Sequence, residues 1–483
     1  MAIFDSIEPV SLLQYFEAIA KIPRPSKYED KIIAFLIDFA KQHHLDYKKD
    51  KIGNLLISKP ASKRAKKGLS VVLQSHVDMV CEKNADVKHD FLNDPITPYI
   101  DGDWIKARGT TLGADDGIGV AAMMNVLADK TLEHGPIECL FTVDEETGLT
   151  GAFEIPAKFF NGHTLINLDS EDEGILFIGC AGGMDTQALF KYCPQPVFEH
   201  YNAYLVSITG LTGGHSGDDI HRGRGNAIKI MTGFLLDATR QFGAELLKFE
   251  GGNLKNAIAR EAFATVLISP SLANAFLDFS NTFRQNTKEL FSETDPAFNF
   301  LVDPVSTPAT RLRKDFQLRF LEALELCPHG AISWSKDIPG LVETSTNLAS
   351  VKFNGNHEIL ITTNQRSSVE AAIKNIARQV ASVFSDAGAD IQHSSGYPGW
   401  APNMNSNILR ITLQAYQDLY RDQPKVTAIH AGLECGLFLE RYPNLDMISF
   451  GPTIYGAHSP DERLHIPSVK KFWDLLVEIL KRI

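Results

Sequence analysis

The segment from Val71 to Val80, VVLQSHVDMV, constrains the fold of this chain more than any other. Val71 to Leu73 are uninterrupted apolar residues, typical of a strand covered on both faces inside a parallel sheet. The apolar run stops at a polar tip that carries His76 and Asp78. Residues two apart in an extended chain point to the same side, so these two side chains can face one cavity. A neutral imidazole is a good zinc ligand, and a nearby carboxylate can fix its tautomer.

Composition argues against nucleic-acid and membrane partners and favours a cytoplasmic location. The net charge of −12 argues against a nucleic-acid partner, because binding to a polyanion relies on a concentrated basic surface. The basic run from Lys63 to Lys67 lies between two predicted strands and is interpreted as a solvated loop. The six cysteines include no CxxC pair, which fits reduced thiols better than disulfides or a thiolate zinc site. No basic-then-apolar leader and no apolar run of membrane-spanning length occur, so we expect a soluble cytoplasmic protein without a membrane partner.

Strands alternate with helices in the first part of the chain. Val10 to Ile22 has an amphipathic helical pattern, and Ser26 with Glu29 predicts a capping box before a second helix. A buried helix is predicted to begin near Gly117. The predicted strands of this part are Leu55–Ile57, Leu69–Leu73, Ile137–Val143 and Thr164–Leu168. This alternation, with carboxylates at the ends of strands, is typical of an open α/β sheet that binds ligands at its carboxyl edge.

The pattern changes after about Gly183, and the length is sufficient for two or three domains. A strand at Tyr204–Ile208 leads into GLTGGHSG, and a helix is predicted from about Asn226 to Phe242. We therefore predict an α/β fold made of three stretches: 1–184 as the first part of a metal-binding catalytic domain, 185–395 as an inserted domain, and 396–483 as the part that completes the catalytic domain.

Five side chains at the ends of elements or in loops of the predicted catalytic domain are candidate metal ligands: His76, Asp115, Glu146, Asp169 and His458. Two imidazoles with three carboxylates suit a pair of zinc ions, or manganese or cobalt. Glu145 stands beside Glu146, and adjacent residues at the end of a strand diverge in direction. One of the two can therefore ligate a metal while the other faces a bound water. Taken singly, each of these residues is better interpreted as a helix cap, a loop charge or a hydrogen-bond partner. Their joint placement at element ends favours a metal site.

Six motifs in one order carry a resemblance that runs from Ser75 to Glu462: SHVDMV, TLGADDGIG, TVDEETGLTG, INLDSE, GGHSG with HRGRGNA, and GPTIYGAHSPDE. With these motifs the chain resembles the co-catalytic di-zinc metallopeptidases of the aminoacylase and carnosinase superfamily. Within that superfamily it is most similar to the branch of bacterial aminoacyl-histidine dipeptidases. The resemblance implies a mixed-sheet catalytic domain with an inserted α+β lid domain, and a homodimer formed through the lid.

The resemblance also implies a role for each candidate residue. The five metal ligands would be His76, Asp115 as the bridging carboxylate, Glu146, Asp169 and His458, holding two divalent ions. Asp78 would orient His76, and Glu145 would be the general base. Aspartate rather than glutamate at position 169 is similar to the aminopeptidase and dipeptidase branch.

Four further residues match the lid domain of the family. His215 in GGHSG matches a histidine that reaches into an active site, which in dimeric relatives is the partner's. Asn256 and Arg366 resemble residues that hold the carboxylate end of the substrate, and Gly432 resembles a backbone contact. Recognition of both free ends of a short peptide would limit such an enzyme to dipeptides.

The predicted function is therefore a metal-dependent dipeptidase that cleaves unblocked dipeptides, including Xaa-His substrates such as β-Ala-His. Two alternatives within the enzymes are a deacylase of N-acyl amino acids and a tripeptide aminopeptidase with the same metals. An alternative of another class is an inactive peptide-binding scaffold, which the presence of Glu145 beside a full ligand set disfavours.

Other hydrolase and nucleotide-binding motifs are weak or missing. Gly117 to Ala122 fits the loose GxGxxA dinucleotide pattern, but Asp115 and Asp116 would repel a pyrophosphate at that helix start. GLTGGHSG lacks the Gly-Lys-Ser/Thr ending of a phosphate-binding loop. The sequence contains no GxSxG elbow of a serine hydrolase.

Overall fold

A computed structural model describes residues 3–63, 70–197 and 200–483. The chain is a mixed α/β protein, as the sequence predicted, and it divides into two compact units. The first unit comprises Met1–Gly179, Trp400–Ala428 and Leu433–Ile483. The second comprises Cys180–Gly399 and Ile429–Gly432. The role of the second unit as a lid stays a prediction.

The helices of the described residues, in chain order, are α1 (Val10–Ala20), α2 (Asp30–Gln42), α3 (Ala114–Ala128), α4 (Glu145–Gly148), α5 (Thr150–Phe153), α6 (Ala227–Phe242), α7 (Ala273–Leu290), α8 (Lys314–Leu326), α9 (Glu370–Asp386), α10 (Asn407–Tyr420), α11 (Glu434–Arg441) and α12 (Ile466–Arg482). A single 3₁₀ turn, Pro270–Leu272, precedes α7. In the part of the chain that the structure describes, no helix has both the length and the apolar character of a bilayer crossing.

The strands, in the same order, are β1 (Asp46–Lys49), β2 (Leu55–Lys59), β3 (Val71–His76), β4 (Pro98–Asp101), β5 (Trp104–Ala107), β6 (Ile137–Thr142), β7 (Thr164–Asn167), β8 (Ile175–Cys180), β9 (Gly182–Lys191), β10 (Gln195–Pro196), β11 (Asn202–Thr209), β12 (Glu245–Gly251), β13 (Ala262–Ile268), β14 (Asn299–Val305), β15 (Thr310–Arg311), β16 (Gly330–Trp334), β17 (Val342–Asn354), β18 (Glu358–Ser367), β19 (Asp390–His393), β20 (Lys425–Ile429), β21 (Asp446–Ser449), β22 (Ile454–Tyr455) and β23 (Arg463–His465).

The first unit is organised on an eight-stranded sheet with the order β1-β2-β6-β3-β7-β21-β8-β20. Its four central strands, β6, β3, β7 and β21, run parallel, whereas β1, β2 and β8 pair antiparallel with their neighbours. Every residue of β3 and β6 is buried, which explains the apolar runs Val71–Leu73 and Cys139–Phe141 within them. His76 pairs with Thr142 at the end of β6, so the carboxyl ends of the parallel strands meet at one edge. This edge carries the candidate site.

Helix α3 packs against α1 and β3 and is buried over nearly its whole length. Asp115 and Asp116 at its start have non-helical backbone conformations, and their peptide bond is cis. Regular helix therefore begins at Gly117, as predicted. The first unit also contains a four-stranded sheet with the order β22-β23-β5-β4.

The second unit contains a nine-stranded sheet with the order β14-β11-β13-β12-β17-β18-β9-β19, in which β16 also pairs with β17. Its apolar core joins strand residues to helices α6, α7, α8 and α9 through buried aromatic rings, among them Phe234, Phe276, Phe320 and Phe384. Helix α6 confirms the helix predicted from about Asn226 to Phe242. It begins after Asn226, whose side chain caps it by accepting from the backbone N–H groups of Ile228 and Lys229.

The predicted capping box at Ser26 and Glu29 is wrong. Helix α2 begins at Asp30 without a side-chain cap. Ser26 Oγ donates instead to Asp78 Oδ2 over 2.7 Å, and Glu29 Oε1 accepts from the backbone N–H of Asp144 over 3.0 Å. Glu29 Oε1 also accepts from the backbone N–H of Lys27 over 2.8 Å. The two side chains therefore bind groups outside the start of α2 and do not form the reciprocal pair of a capping box. Most of the predicted basic loop, 64–67, lies outside the described residues, as does Leu69 of a predicted strand.

Candidate active site

The candidate ligands of the first unit come from the ends of strands and helices and from one loop. His76 is the last residue of β3, and Asp169 follows β7 by two positions. Asp115 lies just before the regular part of α3. Glu146 lies in α4, directly after β6, and His458 lies in the loop between β22 and β23. Strand and helix ends therefore supply four of the side chains, and a loop supplies His458.

These five residues form two groups that share Asp115. In one group, Nε2 of His76 lies 3.1 Å from Asp115 Oδ1 and 3.5 Å from Asp169 Oδ1. In the other, Nε2 of His458 lies 3.2 Å from Asp115 Oδ2 and 3.0 Å from Glu146 Oε2. Within each group the ligand atoms are close enough together to hold one metal ion. The Asp115 carboxylate thus presents one oxygen to each imidazole, which is the arrangement of a bridging ligand.

Asp78 supports both the first histidine and the acidic segment. Its Oδ1 lies 3.3 Å from Nδ1 of the buried His76. The same oxygen accepts from the backbone N–H of Glu145 over 3.1 Å, and Oδ2 accepts from that of Glu146 over 3.2 Å. The two glutamates belong to the first turn of α4 rather than to an extended strand end, because Asp144 turns the chain with a left-handed conformation (φ 52°). The expected divergence of neighbouring strand residues therefore does not describe this segment.

The carboxylates of the candidate site carry more negative charge than its two imidazoles, His76 and His458, can neutralise. Burial raises the pKa of Glu145 and that of Asp169 well above their ordinary values, and neighbouring carboxylates add to both shifts. Burial lowers the pKa of His76, but Asp169, Asp115 and Asp78 outweigh it, so the net shift is well upward. Hydrogen bonds to Asp115 and Glu146 raise the pKa of His458 to about 11. Such a cluster is stabilised by added positive charge.

The donor set fits divalent cations of borderline softness. Imidazole nitrogens and carboxylate oxygens suit zinc, cobalt and manganese. Oε1 of Glu146 is buried and has no hydrogen-bond partner among the described residues, so this oxygen is available to a ligand. A buried carboxylate oxygen without a partner is unfavourable unless something pairs with it.

The glycines of the loose dinucleotide pattern serve packing at this site. A Cβ atom at Gly119 would lie 2.3 Å from Asp116 Oδ1 and 2.4 Å from Ser75 Oγ. A Cβ atom at Gly117 would lie 2.6 Å from Nη2 of the buried Arg24. Both distances are too short for a side chain, so close approach of polar groups explains the glycine spacing.

The second unit brings its four candidate residues into one cluster. Nη2 of Arg366 lies 3.5 Å from Nε2 of His215. The backbone of Asn256 accepts a 2.8 Å hydrogen bond from the N–H of Ser216, the residue after His215. Gly432 adjoins the ring of Tyr397, since a Cβ atom there would lie 2.9 Å from its Cε2. Tyr397 in turn accepts from Nη1 of Arg366 through its hydroxyl over 3.1 Å.

Several residues at these clusters were not among the sequence candidates. In the second unit they are Tyr397, Asp218, which is 3.1 Å from Nδ1 of His215, and His430, whose Nε2 is 2.7 Å from Ser345 Oγ. In the first unit they include Glu434, Arg24 and Glu462. Burial raises the pKa of Glu434 to about 7, and this carboxyl accepts from Gln74 and Thr142. A lone glutamate, arginine or tyrosine carries no sequence signal of such a role.

Comparisons with known proteins agree with one family. The profile of peptidase family M20/M25/M40 matches residues 72–482. The cytosol non-specific dipeptidase of Escherichia coli K12 is 40% identical over 483 residues, which cover 100% of this chain and 99% of that protein. The crystal structure of aminoacylhistidine dipeptidase from Vibrio alginolyticus matches with a TM-score of 0.91 and 41% identity, covering 99% of this chain and 98% of that one. Aminopeptidase PepT from Bacillus cereus, at 16% identity and a TM-score of 0.58 over 98% of each chain, shares the fold.

Proposed function

The chain belongs to peptidase family M20/M25/M40, and from that membership we propose that it is a metal-dependent dipeptidase acting on unblocked dipeptides. The preferred substrates would include Xaa-His dipeptides such as β-Ala-His, in keeping with the names of the relatives from E. coli and V. alginolyticus. The observation that carries the proposal is the pair of ligand groups that share Asp115. The cytosolic location in the name of the E. coli relative is proposed for this chain as well.

Five side chains would hold two divalent cations. His76, Asp115 and Asp169 would hold one ion, and Asp115, Glu146 and His458 the other. Zinc is the first expectation, with cobalt and manganese as alternatives. A bound pair of this kind polarises a carbonyl oxygen and lowers the pKa of a water molecule toward neutrality.

Glu145 would act as the general base. Its carboxyl group lies in the same cluster as His76 and Glu146, and hydrogen bonding of its backbone to Asp78 fixes its position. A carboxylate oxygen of Glu145 would accept a proton from the water that attacks the peptide carbonyl carbon. The same group would then donate the proton to the departing amine nitrogen as the C–N bond breaks. Burial and negative neighbours raise the pKa of Glu145, and added cationic charge would lower it again.

The cluster of the second unit would recognise the substrate. Arg366 would pair with the terminal carboxylate of the dipeptide in a bidentate fork, which a lysine could not reproduce. His215 would donate a hydrogen bond to the oxyanion that develops on the carbonyl oxygen. Asn256 and the backbone at Gly432 would complete this contact surface. We further propose that the second unit is a lid that also forms a homodimer, so that His215 acts in its own subunit or in the partner.

A substrate panel tests the proposal. The purified full chain is assayed on β-Ala-His, Gly-His and Leu-Gly after chelation, and again after addition of zinc, cobalt or manganese. We expect cleavage of the dipeptides that depends on added ions, with little cleavage of N-acetyl amino acids or tripeptides. Preferential cleavage of N-acetyl amino acids would make the chain a deacylase, and preferential cleavage of tripeptides would make it an aminopeptidase. Ion binding without any hydrolysis would instead indicate a peptide-binding scaffold.

A further inference from the structure

A buried carboxylate outside the ligand set holds the segment that carries Asp115. Oε2 of Glu462 accepts from the backbone N–H groups of Leu112 and Gly113, over 2.6 and 2.9 Å. Oε1 accepts from those of Ala114 and Asp115, over 2.7 and 3.3 Å. Glu462 is only 2% exposed, and 350 positions separate it from Leu112. All four donors belong to consecutive residues, so one carboxylate defines the path of the whole segment.

A buried guanidinium holds the same segment through its carbonyl groups. Nη2 of Arg24 donates to the backbone oxygen of Gly113 over 2.5 Å. Nη1 donates to the backbone oxygens of Val77 and Asp78, over 2.9 and 2.7 Å. Arg24 therefore ties the Asp115 segment to the loop that follows His76. Gly113 has a φ of 70°, and a Cβ atom there would lie 2.6 Å from Nη2, so the approach of the guanidinium requires glycine.

The two residues connect Asp115 to both histidines of the candidate site. Glu462 lies four positions after His458 on one loop, and Arg24 binds the residues directly after His76. Asp115 itself has an extended backbone (φ −78°, ψ 112°) outside the regular helix, so helical hydrogen bonding does not fix its position. Partners of this kind, which orient metal ligands, typically change metal affinity or activity by about 10- to 100-fold when they are mutated.

We propose that Glu462 and Arg24 are positioning residues that fix the shared carboxylate of Asp115 between His76 and His458. Because Asp115 belongs to both ligand groups, loss of Glu462 weakens the binding of both cations together. This inference rests on the proposed function, since it assumes that the two groups hold metal ions.

Glu138 provides a matched control for a purely structural role. It too is a buried carboxylate that accepts backbone N–H groups, those of Asn161 and Gly162, both over 2.8 Å. It lies at the start of β6, whereas Glu145 follows the other end of that strand. Each of the variants Glu138→Gln and Glu462→Gln removes one buried carboxylate that accepts backbone N–H groups, two at Glu138 and four at Glu462. Of these two glutamates, Glu462 alone binds the Asp115 segment.

The test is a titration of the full-length apoprotein with Co²⁺, followed by visible absorption, beside thermal unfolding of the same samples without metal. We expect Glu462→Gln to weaken binding of both cobalt equivalents by about 10- to 100-fold, and Glu138→Gln to leave both within about twofold of wild type. Both variants should unfold at a lower temperature than wild type. Weaker binding in Glu462→Gln alone separates positioning from general destabilisation.

Equal cobalt binding by wild type and Glu462→Gln would overturn the inference, as would weakening of only one equivalent. A wild-type protein that binds no cobalt would instead refute the proposed function. If Glu462→Gln does not fold, the same titration is carried out with Glu462→Asp. That variant keeps the negative charge, but its side chain is one methylene shorter, so the carboxylate lies farther from the backbone N–H groups of the Asp115 segment. Cobalt binding by Glu462→Asp that matches wild type would likewise overturn the inference.

Discussion

Asp78 accepts, on Oδ1, a 3.1 Å hydrogen bond from the backbone N–H of Glu145. The same oxygen faces the imidazole of the residue that ends β3. One carboxylate therefore sets both the orientation of a candidate metal ligand and the position of the candidate base. Loss of the Asp78 carboxylate should therefore weaken both metal binding and proton transfer.

Asp78→Asn tests this dual support. An amide presents one acceptor oxygen, so one of the two backbone N–H groups of Glu145 and Glu146 would face an NH₂ group. We expect turnover of Gly-His to fall about 10- to 100-fold, with weaker retention of zinc by elemental analysis after dialysis. Asp50→Asn is the control, because Asp50 accepts three backbone N–H groups in the loop between β1 and β2. Similar losses in both variants would contradict the assigned role.

Glu145→Gln should keep the zinc content of wild type, whereas Glu146→Gln should lower it. Removal of a general base typically lowers the rate on the order of 100- to 10,000-fold. We therefore expect Glu145→Gln to lose turnover of that order while it retains both zinc equivalents. Glu146→Gln should lose zinc, because the Glu146 carboxylate belongs to the group of His458. Near-normal turnover in a fully metallated Glu145→Gln protein would exclude Glu145 as the base.

Tyr397→Phe should weaken substrate binding through Arg366. The hydroxyl of Tyr397 accepts from Nη1 of Arg366, and its ring adjoins Gly183 and Gly432, so phenylalanine keeps the packing and removes the polar contact. A hydrogen bond to a charged group contributes about 1.5–3 kcal/mol, so we expect KM for dipeptides to rise about 10-fold with little change in kcat.

The comparison that isolates this effect uses dipeptide amides, which lack the terminal carboxylate. The penalty of Tyr397→Phe should shrink on those substrates. Tyr442→Phe, at a hydroxyl that accepts from the backbone N–H groups of Phe159 and Phe160, should leave KM unchanged. An equal penalty on acids and amides would argue against recognition of a carboxylate through Arg366.

His329 should make the fold sensitive to acid. Burial lowers its pKa from 6.5 to about 4, and Lys229 adds to the shift. The unfolded chain therefore takes up the proton first as the pH falls, and the stability contributed by the neutral imidazole is lost between about pH 6.5 and 4. His329→Asn, which keeps an acceptor for the backbone N–H of Leu348, removes the titration.

Thermal unfolding at pH 7 and pH 5 measures this loss. We expect the unfolding free energy of wild type to fall by about 2 kcal/mol more than that of His329→Asn over this interval. His357→Asn is the control, at an exposed histidine of the turn between β17 and β18. Parallel pH dependence in wild type and His329→Asn would contradict the prediction.

Much of the sheet edge that carries the candidate site was predictable, because short-range pattern and strand topology determine it. Apolar runs that end in His76, Glu145 and Asp169 indicate parallel strands, and the carboxyl ends of such strands necessarily meet. The start of regular helix at Gly117 was predicted for a similar local reason. The five candidate ligands followed from their residue types and placement, and their individual roles came from the family resemblance. Both stay predictions.

Long-range hydrogen bonds explain what the sequence did not indicate. Ser26 and Glu29 match a capping box locally, yet their side chains bind Asp78 and the Asp144 backbone. No local pattern identifies Glu462, because the first of its four donors, Leu112, lies 350 positions earlier in the chain. Pattern rules describe neighbours along the chain, and these residues act on neighbours in space.

The order of the sheet has a consequence for protein synthesis. Strand β21 lies between β7 and β8, which are close in sequence, yet β21 follows the entire second unit in the chain. A ribosome must therefore translate the whole insertion while the facing edges of β7 and β8 remain unpaired. Open strand edges are templates for aggregation, so the nascent chain should depend on chaperones until Ser449 has left the exit tunnel. Premature termination before that point would leave an unfinished sheet rather than a smaller enzyme.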